Sequence, residues 1–176
     1  SFKPAGATRE IHYAERFGDA WDVAKHAVKT LKQNEDKTVA FVKAVTDSDL
    51  PHVIKEAALT NSSILRTQTC FRIASGHLAG WEGCSDHGGC CFGTCTHVWN
   101  YEHASAFLYG DLAKTMREVD FLQGVNDEGM MAFRIDLPMD EPQQYDKTAA
   151  DGTMGTLMRL YREWRLSGDD HWLQTL

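Results

Sequence analysis

Proline is scarce in this chain, at four of 176 residues, and the basic side chains are outnumbered, with 18 Lys and Arg against 25 Asp and Glu. The formal charge of −7 argues against nucleic acid or an anionic membrane surface as partner, since both are met by clustered Lys and Arg. No apolar run approaches the length that spans a bilayer, and no signal-peptide pattern opens the chain. Cysteine is present in the wrong number for a secreted disulfide framework. There are five, and four crowd between Cys84 and Cys95, whereas such frameworks spread an even count along a small chain. Reduced thiols in a cytoplasmic protein, or metal ligands, fit better. A length of 176 residues suits one domain with a sizeable core. The chain opens Ser-Phe-Lys and closes on His171–Leu176, where a helix starts, so we read it as an internal piece of a larger protein.

Hydrophobic spacing points to helices. Residues 1–15 have weak periodicity and read as a lead-in from a preceding domain. Phe17, Trp21, Ala24, Val28 and Leu31, then Val39, Val42 and Val45, recur at steps of three and four, the signature of a long amphipathic helix with Asp19 and Asp22 at its favoured end. Asp47 to Pro51 punctuates it, and Pro51 starts a second helix that closes at Asn61-Ser-Ser. Thr67–Ile73 has strand composition, and Ser75-Gly76 turns it into a hairpin returning through Leu78 to Trp81. A helix is expected over 97–109, another after Gly110-Asp111, and a strand over 130–137. A polar loop follows over 139–150. A final helix capped by Asp151 carries Met154, Leu157, Met158, Tyr161 and Trp164 on one face and ends at Ser167-Gly168. The pairs Met130-Met131 and Met154/Met158 read as core. The expected fold is mainly α, with short β-hairpin excursions in the loops.

Chemistry concentrates between Gly76 and Glu102, GHLAGWEGCSDHGGCCFGTCTHVWNYE. Glycine at that density weakens both helix and strand, so the segment reads as a loop on a rigid scaffold, where functional groups gather. Cys84, Cys90, Cys91, Cys95 and His97 could complete a tetrahedral zinc shell. Their spacing lacks paired C-x2-C knuckles, and free cysteine packs as a small apolar group. Structural thiols are therefore favoured, and no metal or other cofactor is expected. Glu82 lies between Trp81 and Gly83, and Glu102 follows Trp99 by three residues. A carboxylate beside an indole suits glycoside chemistry, where two acids flank the scissile bond. The plainer alternative is a solvated glutamate or a helix-capping partner. His87, His97 and His103 earn no role from spacing alone.

The run GHLAGWEGCSDHGGCCFGTCTHVWNYEHASAFL, with the upstream LRTQTCFRI and the downstream AADGTMGTLMRLYREWRLSGDDHWL, resembles the catalytic region of glycoside hydrolase family 116. That family includes the non-lysosomal glucosylceramidases and bacterial and archaeal β-glucosidases. The resemblance covers about residues 10–176, and the WEGC and CTHVWNYE segments are its specific parts. It implies an (α/α)6 barrel preceded by a β-sandwich. Residues 1–15 would be the lead-in from that sandwich, and 16–176 the incomplete N-terminal part of the catalytic toroid. It also implies retention of anomeric configuration by double displacement, a carbohydrate or glycolipid substrate, and Glu82 as nucleophile. The family's acid/base aspartate would lie beyond Leu176, in the remainder of the chain. The family's sugar-contacting Asp has no direct counterpart in the Cys/Gly-rich insert, which leaves Asp86, His97, Asn100 or Glu102 to take its place. Arg134 or Asp136 stands where the family has a sugar-contacting His. Trp81, His87 and Trp99 complete the expected substrate-binding set, with the glycone open among glucose, xylose and N-acetylglucosamine. The competing expectation is a metal-stabilised Cys/His module, a binding or scaffold unit without hydrolytic activity, which metal analysis of the purified protein would reveal.

Overall fold

The computed structural model describes residues 11–67, 69–80, 93–137 and 143–176. In chain order these form α1 (His12–Arg16), α2 (Ala20–Thr46), α3 (His52–Asn61), a 3-10 turn (Ser62–Arg66), β1 (Cys70–Arg72), β2 (Leu78–Gly80), β3 (Thr94–Cys95), α4 (Thr96–Trp99), α5 (Ala104–Leu108), α6 (Gly110–Leu122), β4 (Arg134–Ile135), α7 (Ala150–Ser167) and α8 (Asp170–Gln174). The fold is mainly helical, with two small antiparallel sheets, β1–β2 and β3–β4, among the described residues.

Local signals explain several of these boundaries. The Asp19 side chain accepts the Asp22 N–H at 2.7 Å and starts the 27-residue α2, as a short acceptor does at an N-cap. Pro51 immediately precedes α3, and Gly168, at φ +64°, ends α7 in the left-handed conformation that favours glycine. The β1–β2 hairpin pairs Cys70 with Gly80 and Arg72 with Leu78. Ile11, in the lead-in, bridges Ile73 beside it.

Expectations for the bounds of three elements need correction. The helix expected over 97–109 breaks into α4 and α5, because Glu102 turns back to cap α5. The strand expected over 130–137 shrinks to Arg134–Ile135, plus a bridge from Val125 to Met131. Asp151 is a first-turn residue of α7 rather than its cap, and its carboxylate is turned to His97.

The core lies where α6 meets the hairpin and the β3–β4 sheet. Ala113, Met116, Val119, Ala132, Ile135, Leu78, Cys70 and Cys95 are buried there. Met131 joins them as expected, while Met130 is exposed. Helix α7 inverts the expected pattern. It buries Gly152, Thr156, Arg159 and Glu163, while Met154 is 65% and Met158 72% exposed, with Leu157 and Tyr161 exposed beside them. The two methionines are therefore not core, since the polar face of α7 packs inward through ion pairs. On α2 no residue is buried, and Trp21, Val28 and Leu31 stand in solvent. Among the described residues no helix is long and apolar enough to cross a membrane.

Candidate functional site

Two glycines and a threonine organise the base of the site. The Gly80 N–H donates to Thr94 Oγ1 at 2.9 Å, which sets positions 80 and 94 side by side at the ends of β2 and β3. A side chain at 80 would meet the Trp99 indole, since a Cβ there lies 2.1 Å from its nearest atom. Gly93 adopts φ +78°, and a Cβ on it would lie 2.1 Å from the Ile135 carbonyl oxygen. Only glycine meets both demands. Trp81, Glu82, Asp86 and His87, together with Cys84, Cys90 and Cys91, lie outside the described residues.

Helix α4 is fastened from two sides. The Phe133 carbonyl accepts the Thr96 N–H at 3.0 Å and the Thr96 hydroxyl at 2.8 Å, tying α4 to the strand before Arg134. On the other side α7 comes close at its glycines. A Cβ on Gly152 would lie 2.7 Å from Thr96 Oγ1, and one on Gly155 2.5 Å from the Asn100 side chain. The Asn100 amide donates to the carbonyls of His97 and Thr96, closing the C-terminal end of α4.

His97, Trp99, Asn100 and Glu102 thus share one turn of chain, directly after the 80–94 junction. Arg134 pairs with Cys95 in the adjoining sheet. His97 Nδ1 lies 2.6 Å from Asp151 Oδ2, and the Tyr101 hydroxyl donates to the same oxygen at 3.3 Å. The Tyr101 ring stands edge-on to the imidazole, and the Phe133 ring lies at 6.3 Å. The Arg134 guanidinium and the Lys147 ammonium both lie over Phe133. Partial desolvation pushes the Asp151 carboxyl up, but hydrogen bonds from His97, the Gly152 N–H and Tyr101 outweigh it and hold it below the usual range.

Glu102 is engaged on both oxygens. Oε1 accepts the Ser105 N–H, and Oε2 accepts the Ser105 hydroxyl, each at 2.7 Å. Arg159 Nη2 adds a third bond at 3.1 Å, and Arg159 Nη1 donates to the Trp99 carbonyl at 2.5 Å. Behind Arg159 stands a buried set of charges between α6 and α7. Arg117 pairs with Asp120 and lies 3.2 Å from Glu163, which Arg162 approaches at 3.4 Å. Arg117 and Arg159 are 1% and 2% exposed. Nη1 and Nε of Arg117 sit within ion-pair reach of Asp120 and Glu163 without aligned hydrogen bonds, so charge rather than geometry holds them. Burial drives the Asp120 and Glu163 carboxyls above their ordinary range despite the flanking arginines. Arg159 is pulled down to about 10, by burial first and then by Arg117.

A cavity of about 100 Å³ opens beside this turn, lined by Cys70, Leu78, Trp99, Glu102, Ser105 and Tyr109 among others. Burial and the Glu102 charge raise the Cys70 thiol to about 11, which keeps it protonated and unreactive. Among the described residues no three His, Cys, Asp or Glu side chains converge as a metal site.

Arg159, Asp151 and Tyr101 were invisible as site residues in the sequence, because their partners lie 50 or more positions away. Arg117–Asp120 and Arg159–Glu163 do sit at helical spacings of three and four. That pattern usually marks a solvated face, and only packing reveals it as buried. No protein-family model and no curated protein matches the chain.

Proposed function

We propose that this chain is part of the catalytic domain of a retaining β-glycosidase of the family 116 type, an (α/α)6 toroid in which Glu82 is the nucleophile. The supporting observation is the rigidity just upstream of Glu82. Gly80 is held in the hairpin, bonded to Thr94 and covered by Trp99. A nucleophile needs such a mount, since small misplacements of a reacting group lose much of its rate. The outward apolar stripes of α2 and α7 suit stacked helical hairpins that cover one another.

In this reading the Glu82 carboxylate attacks the anomeric carbon as an acid protonates the leaving oxygen. The glycosyl ester is then cleaved by water, which the same second residue deprotonates, so configuration is retained. In the family resembled that second residue is an aspartate. The half-exposed turn of His97, Trp99 and Asn100 supplies aromatic and polar contacts of the kind a sugar requires.

In the full-length protein, Glu82→Gln should abolish turnover of an aryl β-glucoside while the fold persists, because an amide cannot form the ester. Azide added to Glu82→Ala should restore activity and yield the azide of inverted configuration. Turnover near wild type in the Gln variant would remove Glu82 from the mechanism.

A further inference from the structure

We infer that Asp151 is a positioning residue, which fixes the tautomer of His97 so that its Nε2 accepts a hydrogen bond from a hydroxyl of the ligand. This deepens the glycosidase reading and rests on it for the identity of the ligand, not for the dyad itself. Asp151 Oδ2 lies 2.6 Å from His97 Nδ1 and receives the Tyr101 hydroxyl at 3.3 Å. An ionised carboxylate only accepts, so the proton between Asp151 and His97 resides on Nδ1. In the neutral ring Nε2 is then a pure acceptor. It has no partner among the described residues, and the His97 side chain is 49% exposed.

The mount is stiff on every side. Thr96 and the His97 N–H abut Gly152, next to Asp151 on α7. Asn100 grips the His97 carbonyl, while Tyr101 and Phe133 flank the ring. The charged and titratable groups facing the imidazole are Asp151 on α7, Tyr101 after α4, and Arg134 and Lys147 across Phe133. Sugar hydroxyls are donors in search of such an acceptor, and a fixed acceptor beside aromatic rings selects a polyhydroxylated ligand over an apolar one.

The test combines a spectroscopic and a kinetic arm on the full-length protein. Long-range 15N–1H correlation spectra should show His97 as the Nδ1–H tautomer, shifting toward Nε2–H in Asp151→Asn. With p-nitrophenyl β-D-glucoside, Asp151→Asn should lower kcat/KM on the order of tenfold or more. In a His97→Ala background the same change should add no more than about twofold, since Asp151 acts through His97. An unchanged tautomer in Asp151→Asn, or losses that simply multiply in the double variant, would overturn the proposal. Should the wild type hydrolyse no glucoside, the glycosidase reading fails by itself and the tautomer arm still decides the dyad.

Discussion

Replacing Gly152 by alanine sets two opposed effects against each other. Alanine in a helix is favoured over glycine by up to about 1 kcal/mol. Position 152 lies in the first turn of α7, which puts the gain at the low end. Against it stands the contact with α4. The new Cβ would lie 2.7 Å from Thr96 Oγ1, 2.8 Å from the His97 backbone nitrogen and 2.9 Å from the Thr96 carbonyl carbon. Two of these atoms are backbone, and the Thr96 hydroxyl is held by the Phe133 carbonyl, so none can swing aside. Overpacking of this kind costs about 1–3 kcal/mol. The net loss should be about 1–2 kcal/mol, a fall in Tm of roughly 2–8 °C for a chain of this size. Gly110 is the control, since it also begins a helix and has nothing within 4 Å of its Cβ position. Gly110→Ala should be neutral, or stabilising by up to about 1 kcal/mol. Differential scanning calorimetry on both variants reads the difference. If Gly152→Ala stabilised the protein as Gly110→Ala does, the seating of α4 on α7 would be wrong, and with it the mount for His97.

The buried charges give two further expectations. Arg159→Met takes one buried partner each from Glu163, Glu102 and the Trp99 carbonyl, and should cost about 3–5 kcal/mol in urea unfolding, with Arg159→Lys a poor substitute because it lacks the planar fork. The Asp120 and Glu163 carboxyls are held up by burial, so the folded state binds protons more readily than the unfolded chain. Their contribution to stability is greatest in acid and is lost as pH rises from the ordinary value, 4.5 for glutamate, through the raised one. Glu163→Gln, a mimic of the neutral acid, should flatten that slope in pH-dependent unfolding, and an unaltered slope would contradict the assignment. Cys70, raised to about 11 by burial, should resist iodoacetamide at pH 8 until the protein is unfolded, and rapid labelling of the native state would contradict its burial.

What was legible in the sequence was what short-range chemistry controls. The acids Asp19 and Asp22 at the start of α2, the Pro51 start, the Gly168 stop and the turn at Ser75-Gly76 all act within a few residues, and α2, α3, α7 and the hairpin follow from them. The break between α4 and α5 did not show, because it depends on Glu102 reaching both Ser105 and, 57 positions on, Arg159. The inward face of α7 is hidden in the sequence for a related reason. Periodicity finds a stripe but not its direction, and here Arg159 and Glu163 pack against α6 while the methionines face out. At the site, His97, Trp99, Asn100 and Glu102 were visible as a cluster along the chain. Asp151 has the local pattern of a cap, since nothing near it in the chain reveals that a histidine 54 positions earlier takes its carboxylate.

The central claim is that Glu82 forms a covalent bond to the sugar. The direct measurement treats the full-length protein with 2-deoxy-2-fluoro-β-D-glucosyl fluoride, whose 2-fluorine slows both formation and hydrolysis of the glycosyl ester while its anomeric fluoride leaving group speeds formation alone, so that the ester accumulates, and follows it by peptide mass spectrometry. The account predicts one sugar per chain, on the peptide containing Glu82, with no label in Glu82→Gln. Hydrolysis of aryl β-glucosides with no label at Glu82, or with the label on another carboxylate, would contradict it.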